Sequence, residues 1–279
     1  AAGVNTTGAG NVAIGQNVLD ANTTGGNNVA IGRDAMSANT TANDNVAIGY
    51  YSFYAGTTGS TTVVIGSNAV STGTYTGNGG VYIGHQAGKA VTSGIRNVCV
   101  GKEAGKDLTT GGNNILIGLD SGRDGSPGGE ISTASNEVCI GDASISAANI
   151  QVDWTIASDK RDKTDVSPMD LGLEFINKLE PVTYRWDKRS KYNKDQSVSP
   201  DGTHKEEQLE GGFLAQDVEA IEKEYGYTYS DKTNLITRLS EDGKMYGIKY
   251  SKLVPMLTKA VQELSAEVEQ LKSQIDENN

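Results

Sequence analysis

The chain has 279 residues and a formal net charge of −11 at pH 7, with 28 of its 35 glycines before residue 151 and 43 of its 59 charged residues after residue 150. This acidic balance argues against a nucleic-acid-binding face or an anionic-membrane surface, since both need clustered basic residues. Apolar runs are short, so the sequence predicts neither membrane insertion nor a signal peptide. The change in composition predicts two domains, residues 1–150 and 151–279.

A repeat fills the glycine-rich part. The motif NVAIG and its degenerate copies end at eight glycines: Gly15, Gly32, Gly49, Gly66, Gly84, Gly101, Gly118 and Gly141. The successive spacings are 17, 17, 17, 18, 17, 17 and 23 residues. Because one such unit cannot bury its own strand, the repetition predicts stacked coils that form a β-solenoid. The first residue already lies inside the repeat, so we expect a piece of a longer protein.

Each repeat predicts a short strand with two apolar faces. Two β-branched residues stand two positions apart, as Val12 and Ile14 do, with apolar Ala13 between them. Residues two apart share one face of a strand, so both faces must be covered. We expect the middle residues to pack against other copies of the chain, with a parallel homotrimer as the simplest closed arrangement. The predicted fold is therefore a trimeric β-solenoid or triple β-helix-like shaft.

After residue 150 the pattern is that of an α+β domain. Leu173, Ile176 and Leu179 have helical spacing before a proline, and an alternating strand pattern follows them. The stretch GGFLAQDVEAIEKEYG predicts a second helix, and residues 188–208 predict an exposed polar loop.

The C-terminal segment has heptad spacing and predicts a coiled-coil helix over about residues 255–276. Its apolar seam consists of Val254, Leu257, Val261, Leu264, Val268, Leu271 and Ile275. The seam predicts oligomerisation without fixing the number of chains.

Four blocks of the second half resemble, in the same order, the C-terminal intramolecular chaperone of phage endosialidases, which also occurs on tail fibres and neck appendages. They are SDKRDKTDV, FINKLEPVTYRW, GFLAQDVEAI and YSKLVPMLTKAVQELSAEVEQL. The NVAIG repeat resembles the head repeats of trimeric adhesins and the shafts of tail fibres. The resemblance implies a domain that brings three fibre chains together, aligns their shafts and then cuts itself off.

The same resemblance implies the setting of the protein. We expect a virion protein, a tail fibre or appendage assembled in the host cytoplasm, that associates with itself as a homotrimer. A host cell-surface glycan or receptor is a further expected partner through the fibre. Neither a cofactor nor a metal site is predicted.

The family uses a serine–lysine dyad, and its pattern, a Ser-Asp pair followed five residues later by the lysine, falls on Ser158, Asp159 and Lys163 of this chain. Ser158 is expected to be the nucleophile and Lys163, five residues later, the general base. Asp159 either positions the loop or opposes the base, and the sequence leaves both roles open. A lysine must be neutral to accept a proton, so we expect burial in the trimer and the positive charges of Lys160 and Arg161 to favour the neutral amine.

Ring size narrows the scissile bond. Attack by Ser158 on the carbonyl of Ala157 passes through a five-membered ring in an N-to-O acyl shift, which favours the Ala157–Ser158 bond. The Ser158–Asp159 bond is the alternative if water or a serine of another chain attacks.

Two other functions fit parts of the sequence. One is a trimeric adhesin or stalk whose C-terminal domain trimerises and never cuts. The other is a glycan-degrading tailspike, but residues 1–150 contain only ten acidic residues and no evident catalytic carboxylate pair. Any such enzyme would lie upstream.

Overall fold

The computed structural model describes residues 3–193 and 196–278. They form two compact units. The solenoid unit comprises Ala1–Ser146 together with Lys188–His204 and Ser240–Met245. The C-terminal unit comprises the remainder, Ala147–Asp187, Lys205–Leu239 and Tyr246–Asn279. Two later segments of the chain are thus part of the unit that the repeats build.

Eight short strands form one parallel sheet in the solenoid unit, in chain order. They are β1 (Val12–Ile14), β2 (Val29–Ile31), β3 (Val46–Ile48), β4 (Val63–Ile65), β5 (Val81–Ile83), β6 (Val98–Val100), β7 (Ile115–Ile117) and β8 (Val138–Ile140). Each strand pairs with the next in register, so that Val12 lies opposite Val29 and Ala13 opposite Ala30. The predicted β-solenoid is confirmed, with one coil for each repeat and a rise of about 4.8 Å per coil.

The middle residue of the strands points into the solenoid. Ala30, Val64 and Leu116 are fully buried within the single chain, whereas the β-branched Ile14 and Ile140 are 57% and 56% exposed. The expectation that the middle residues pack against other chains is therefore wrong. The β-branched pairs, not the middle residues, form the outer face.

The reason is a second source of core side chains in the same coil. Ala35 and Met36 are consecutive, yet both are fully buried. Met36 has a φ of +50°, and this left-handed backbone turns two successive side chains inward. Such a conformation costs roughly 1–2 kcal/mol for a residue with a Cβ, which burial of a large apolar side chain, at about 1.5–3 kcal/mol, offsets. The residues at the equivalent left-handed position of the neighbouring coils are Leu19, Phe53 and Val70.

Asparagine ladders fix the register of the coils. The backbone N–H of Asn45 donates to Oδ1 of Asn28 at 3.0 Å, and Oδ1 of Asn45 accepts from the backbone N–H of Thr62 at 2.9 Å. All three residues are fully buried. Buried amides need such partners, so a shift of one coil against the next would leave them unpaired.

The segment Lys188–His204 is not the freely exposed loop that the sequence predicts. Among its described residues, 188–193 and 196–204, one short 3₁₀ turn, Arg189–Lys191, is formed and the others lie in no helix or strand. Gln196 is only 5% exposed, because its Nε2 donates to Oδ1 of Asp124 at 2.7 Å.

The C-terminal unit has the predicted α+β character. Its elements are α1 (Leu173–Lys178), β9 (Val182–Tyr184), β10 (Glu210–Gly212), α2 (Ala215–Glu224), β11 (Thr237–Leu239), β12 (Tyr246–Ile248) and α3 (Leu253–Glu277). Two antiparallel pairs, β9 with β10 and β11 with β12, accompany the helices. The core includes Leu171, Phe175, Ile236 and Met256. Within the part of the chain that the structure describes, no helix combines the length and apolar character needed to cross a membrane.

A buried carboxylate holds this unit together. Glu222 on α2 is fully buried and accepts the backbone N–H groups of Leu235, Ile236 and Thr237 at 2.8, 2.7 and 3.1 Å, as well as the hydroxyl of Thr237. These bonds compensate for the burial of a charge and fix the start of β11 against α2.

Candidate active site

A single 3₁₀ turn, Lys160–Asp162, shapes the backbone around the predicted dyad. Asp159 caps the start of the turn, because its Oδ1 accepts the backbone N–H of Arg161 at 2.9 Å. The backbone N–H of Lys163 closes the other end by donating to the carbonyl of Lys160 at 3.3 Å. The turn thereby folds the chain back between residues 158 and 163.

This fold-back brings the nucleophile and base of the predicted dyad together. Nζ of Lys163 donates to Oγ of Ser158 at 2.6 Å. That separation lies within the roughly 2.6–3.2 Å at which a base can act on a nucleophile.

Asp159 is engaged with Arg161. Its Oδ2 lies 2.6 Å from Nη2 of Arg161. Hydrogen bonds from the side chain and then the backbone of Arg161 hold the pKa of Asp159 below its ordinary value, and Asp159 in turn raises the pKa of Arg161. Of the two roles left open by the sequence, this geometry favours positioning. It also balances the Arg161 charge that we expected to act on Lys163.

The surroundings of the dyad are exposed in the single chain, as are all residues from 144 to 168. Trp154 is 76% and Ile156 66% exposed, just ahead of the predicted scissile bond. Lys163 is thus exposed in the single chain. The burial expected for it would arise only in an assembled form.

A strand-like pattern that was not predicted lies directly ahead of the dyad. Ile150, Val152, Trp154 and Ile156 alternate with polar residues, which is the period of a strand with one apolar face. Over residues 146–158, all of which the structure describes, the backbone forms no backbone–backbone hydrogen bond. We call residues 150–156 the alternating segment. The period-two pattern was the signal that could have identified it.

Two further apolar surfaces are exposed. The seven residues of the predicted coiled-coil seam on α3 are 40–62% exposed, while Leu253, Met256 and Ala260 on another face of the helix are buried. On the solenoid unit, the outward β-branched residues form a second strip, which is exposed towards its ends, with Val12 at 44% and Ile140 at 56%, and only partly exposed in β2, β4, β5 and β6.

One coil of the solenoid unit carries an aromatic cluster. The rings of Tyr50 and Tyr51 lie 4.5 Å apart, those of Tyr51 and Tyr54 lie 4.8 Å apart, and the guanidinium of Arg33 lies 4.5 Å from the centre of the Tyr50 ring. The negative charge of Asp34, first among several causes, raises the pKa of Tyr51. Beside the rings lies an open groove of about 580 Å³, which we call the tyrosine groove, lined by Val4, Asn17, Asp20, Ala21, Asp34, Ser37, Tyr51 and Tyr54.

Residues 158–227 match the sequence model of a peptidase family described as chaperone of endosialidase. The match begins at Ser158 itself and covers about a quarter of the chain, and it confirms the predicted resemblance over that stretch. This family is one of self-cleaving chaperone domains. No curated protein matches the chain, and no solved structure does. The match and the β-solenoid together support a chaperone role of the kind found in phage tail-fibre proteins.

Proposed function

We propose that this protein is part of a phage tail fibre or appendage, with its shaft in residues 1–150 and a C-terminal part in residues 151–279. The C-terminal part brings three chains together, guides the folding of the β-solenoid and then releases itself by one cut next to Ser158. The observation that carries the proposal is the coincidence of two findings at one residue. The family match begins at Ser158, and Nζ of Lys163 lies 2.6 Å from its Oγ.

Self-association is supported by the surfaces that one chain leaves uncovered. The seam of α3 repeats in heptads and is exposed along its whole length. A parallel coiled coil would bury it and bring identical residues of each copy to the same height. The alternating segment and the outward β-branched strip would then meet their own counterparts. The number three comes from the family resemblance.

Assembly would also switch the dyad on. Trp154 and Ile156 lie only a few residues from Ser158, so a strand contact that covers them would withdraw the Ser158–Lys163 pair from water. Exclusion of water disfavours a charged amine and so favours the neutral lysine that a general base requires. Cleavage would thus wait until the chains have assembled.

The proposed reaction is an acyl shift followed by hydrolysis. Lys163 takes the proton of the Ser158 hydroxyl while Oγ attacks the carbonyl carbon of Ala157. The carbon–nitrogen bond then breaks, the proton passes to the nitrogen of Ser158, and an ester links Ala157 to Oγ. Water hydrolyses this ester, which leaves a carboxylate on Ala157 and restores the serine hydroxyl. Cleavage of the Ser158–Asp159 bond by water, or by a serine of another chain, is the alternative.

The cut has a folding purpose. A stacked trimer that has lost its template would have to cross a high barrier to unfold, so it would be kinetically stable. Because the enzyme and the substrate are the same chain, each chain undergoes a single turnover.

Mass spectrometry of purified chains tests the proposal. The unmodified chain should yield fragments of 157 and 122 residues, whereas the alternative bond would give 158 and 121. Ser158→Ala and Lys163→Ala should remain whole and still assemble. Ser167→Ala, which changes another exposed serine, should cut normally. A Ser158→Ala chain that still splits would rule out the dyad, and an assembled unmodified chain that stays whole would favour the non-cleaving stalk.

We assign the expected host-glycan contact to the tyrosine groove. The partly exposed ring of Tyr51 and the exposed ring of Tyr54 offer apolar faces to a sugar ring, and the carboxylate of Asp20 offers acceptors for its hydroxyl groups. In saturation-transfer NMR with a panel of soluble host-surface oligosaccharides, the unmodified chain should give signals that the double variant Tyr51→Ala, Tyr54→Ala loses. Tyr192→Ala is the control. Equal signals from all three chains would remove the groove as the contact.

A further inference from the structure

The last coil of the solenoid carries an insertion. The glycines that end β7 and β8 are 23 residues apart, against 17 or 18 elsewhere. The additional residues form a closed excursion, because the backbone N–H of Ile131 donates to the carbonyl of Gly122 at 2.9 Å. Inside it, Oγ of Ser126 donates to the carbonyl of Gly129 at 3.1 Å. We call residues 123–130 the insertion loop.

The segment Lys188–His204 contacts this loop. Nε2 of Gln196 donates to Oδ1 of Asp124 at 2.7 Å, with Gln196 almost fully buried. Nζ of Lys188 donates to the carbonyl of Ala143 at 2.7 Å, just beyond β8. The segment therefore reaches both the insertion and the end of the last coil.

The segment Ser240–Met245 contacts the same loop with complementary groups. Nζ of Lys244 lies 3.4 Å from Oδ2 of Asp124. Oδ2 of Asp242 accepts the backbone N–H of Glu130 at 3.3 Å, and just after the loop Oγ1 of Thr133 donates to Oε1 of Glu241 at 2.6 Å. Asp124 thus receives one donor from each of the two segments.

Two glycines of the loop permit the close approach. A Cβ at Gly125 would lie 2.8 Å from Cβ of Ser190, and one at Gly129 would lie 2.7 Å from Cβ of Ser240. Either distance is too short for two carbon atoms. Arg189 ties the segments to each other, since its guanidinium donates to the carbonyls of Gln196 and Lys244. Loop and segments fit as one interface.

We propose that the insertion loop is a binding site for the chain's own C-terminal fragment, residues 158–279. Both segments follow Ser158, so a cut there leaves them in the fragment while the loop stays with the solenoid. Cutting and release are therefore two separate steps. The insertion distinguishes this coil from the others, because their glycines are only 17 or 18 residues apart.

The chemistry of the interface suits a temporary attachment. Its contacts are hydrogen bonds and one ion pair, which are individually weak and whose groups water can satisfy after separation. The ion pair also makes the attachment sensitive to salt.

Release of the fragment rests on the proposed cleavage, whereas binding of the two segments to the loop does not require a cut. In the full Ser158→Ala chain, a site for a specific protease is placed after Ala148, in the exposed segment, and is cut after folding. The fragments should then co-elute in gel filtration at low salt and separate at high salt. Asp124→Ala on one side and Asp242→Ala on the other should each weaken binding about tenfold. Asp217→Ala, an exposed carboxylate of α2, should leave it unchanged.

Two results would overturn the site. One is immediate separation of the fragments at low salt. The other is retention of the fragment by Asp124→Ala and Asp242→Ala as strong as that by Asp217→Ala. Failure of the proposed self-cleavage has a different signature, since the unmodified chain would then stay whole in the absence of any added protease.

Discussion

Apolar residues are buried in the solenoid core and exposed in two segments of the C-terminal unit, the alternating segment and the seam of α3. Leu116 in β7 is fully buried within one chain, whereas Trp154 and Val261 are 76% and 62% exposed. In the solenoid, the neighbour that covers a residue lies about one coil further along the same chain. In the alternating segment and on the α3 seam, the residues remain exposed in the single chain. The difference separates the part whose apolar residues one chain buries from the parts whose apolar residues it leaves exposed, which the proposed self-association would cover.

The largest effect is expected on the seam. Leu264→Asp would place a charge in a contact that assembly makes dry, so we expect complete loss of the oligomer. Light scattering should report the mass of a single chain. Ala266→Asp, on the outward side of the same helix, should keep the assembled mass. An unchanged mass for Leu264→Asp would show that the seam is not the contact between copies.

A change in the solenoid core should instead destabilise the chain itself. Leu116→Ala removes a fully buried side chain and should lower the free energy of unfolding by about 2–5 kcal/mol. Urea unfolding followed by circular dichroism measures this loss. Ile117→Ala alters the adjacent residue, which is 40% exposed, and should cost less. If the order were reversed, the outer face would contribute more than the interior.

A change at Glu222 tests a contact that lies within the C-terminal unit of a single chain. Glu222→Gln keeps the shape but loses the charge that three backbone N–H groups share, so we expect a loss of about 1–3 kcal/mol. Hydrogen exchange at the amide of Ile236 should become faster. Glu224→Gln removes only a surface pair with Lys178 and should cost less, because water screens exposed charges. Equal protection at Ile236 in both variants would contradict the role of Glu222.

The smallest effect concerns the turn that carries the dyad. Bonds from Arg161 lower the pKa of Asp159, so the cap is fully present above the unfolded pKa of about 3.9 and is lost only as the pH falls through the lower folded value. An NMR titration of the Asp159 carboxyl carbon should show this low midpoint. Arg161→Ala should move it up towards the ordinary value. A midpoint that does not respond would mean that the pair does not form in solution.

Local patterns predicted much of this fold and site. The spacing of the NVAIG motifs gave the coils and their register, and the heptads gave α3. The predicted dyad came from the family resemblance, because a serine and a lysine five residues apart are common in charged loops, and one short turn brings the two side chains together. The inward direction of Ala30 and Leu116 was missed, because it depends on left-handed residues such as Met36 that the repeat pattern does not reveal.

The sequence by itself determined the repeat, the two compositional parts and the placing of a serine and a lysine at residues 158 and 163. Each of these depends only on residues that are close along the chain. Only the tertiary structure decided which strand face is interior and that two later segments bind the insertion loop. The partners Asp124 and Gln196 are 72 residues apart, and Glu130 and Asp242 are 112 apart. Such contacts are polar and do not repeat along the chain, so no periodic sequence pattern predicts them. They exist because the fold brings together groups that satisfy each other's hydrogen bonds.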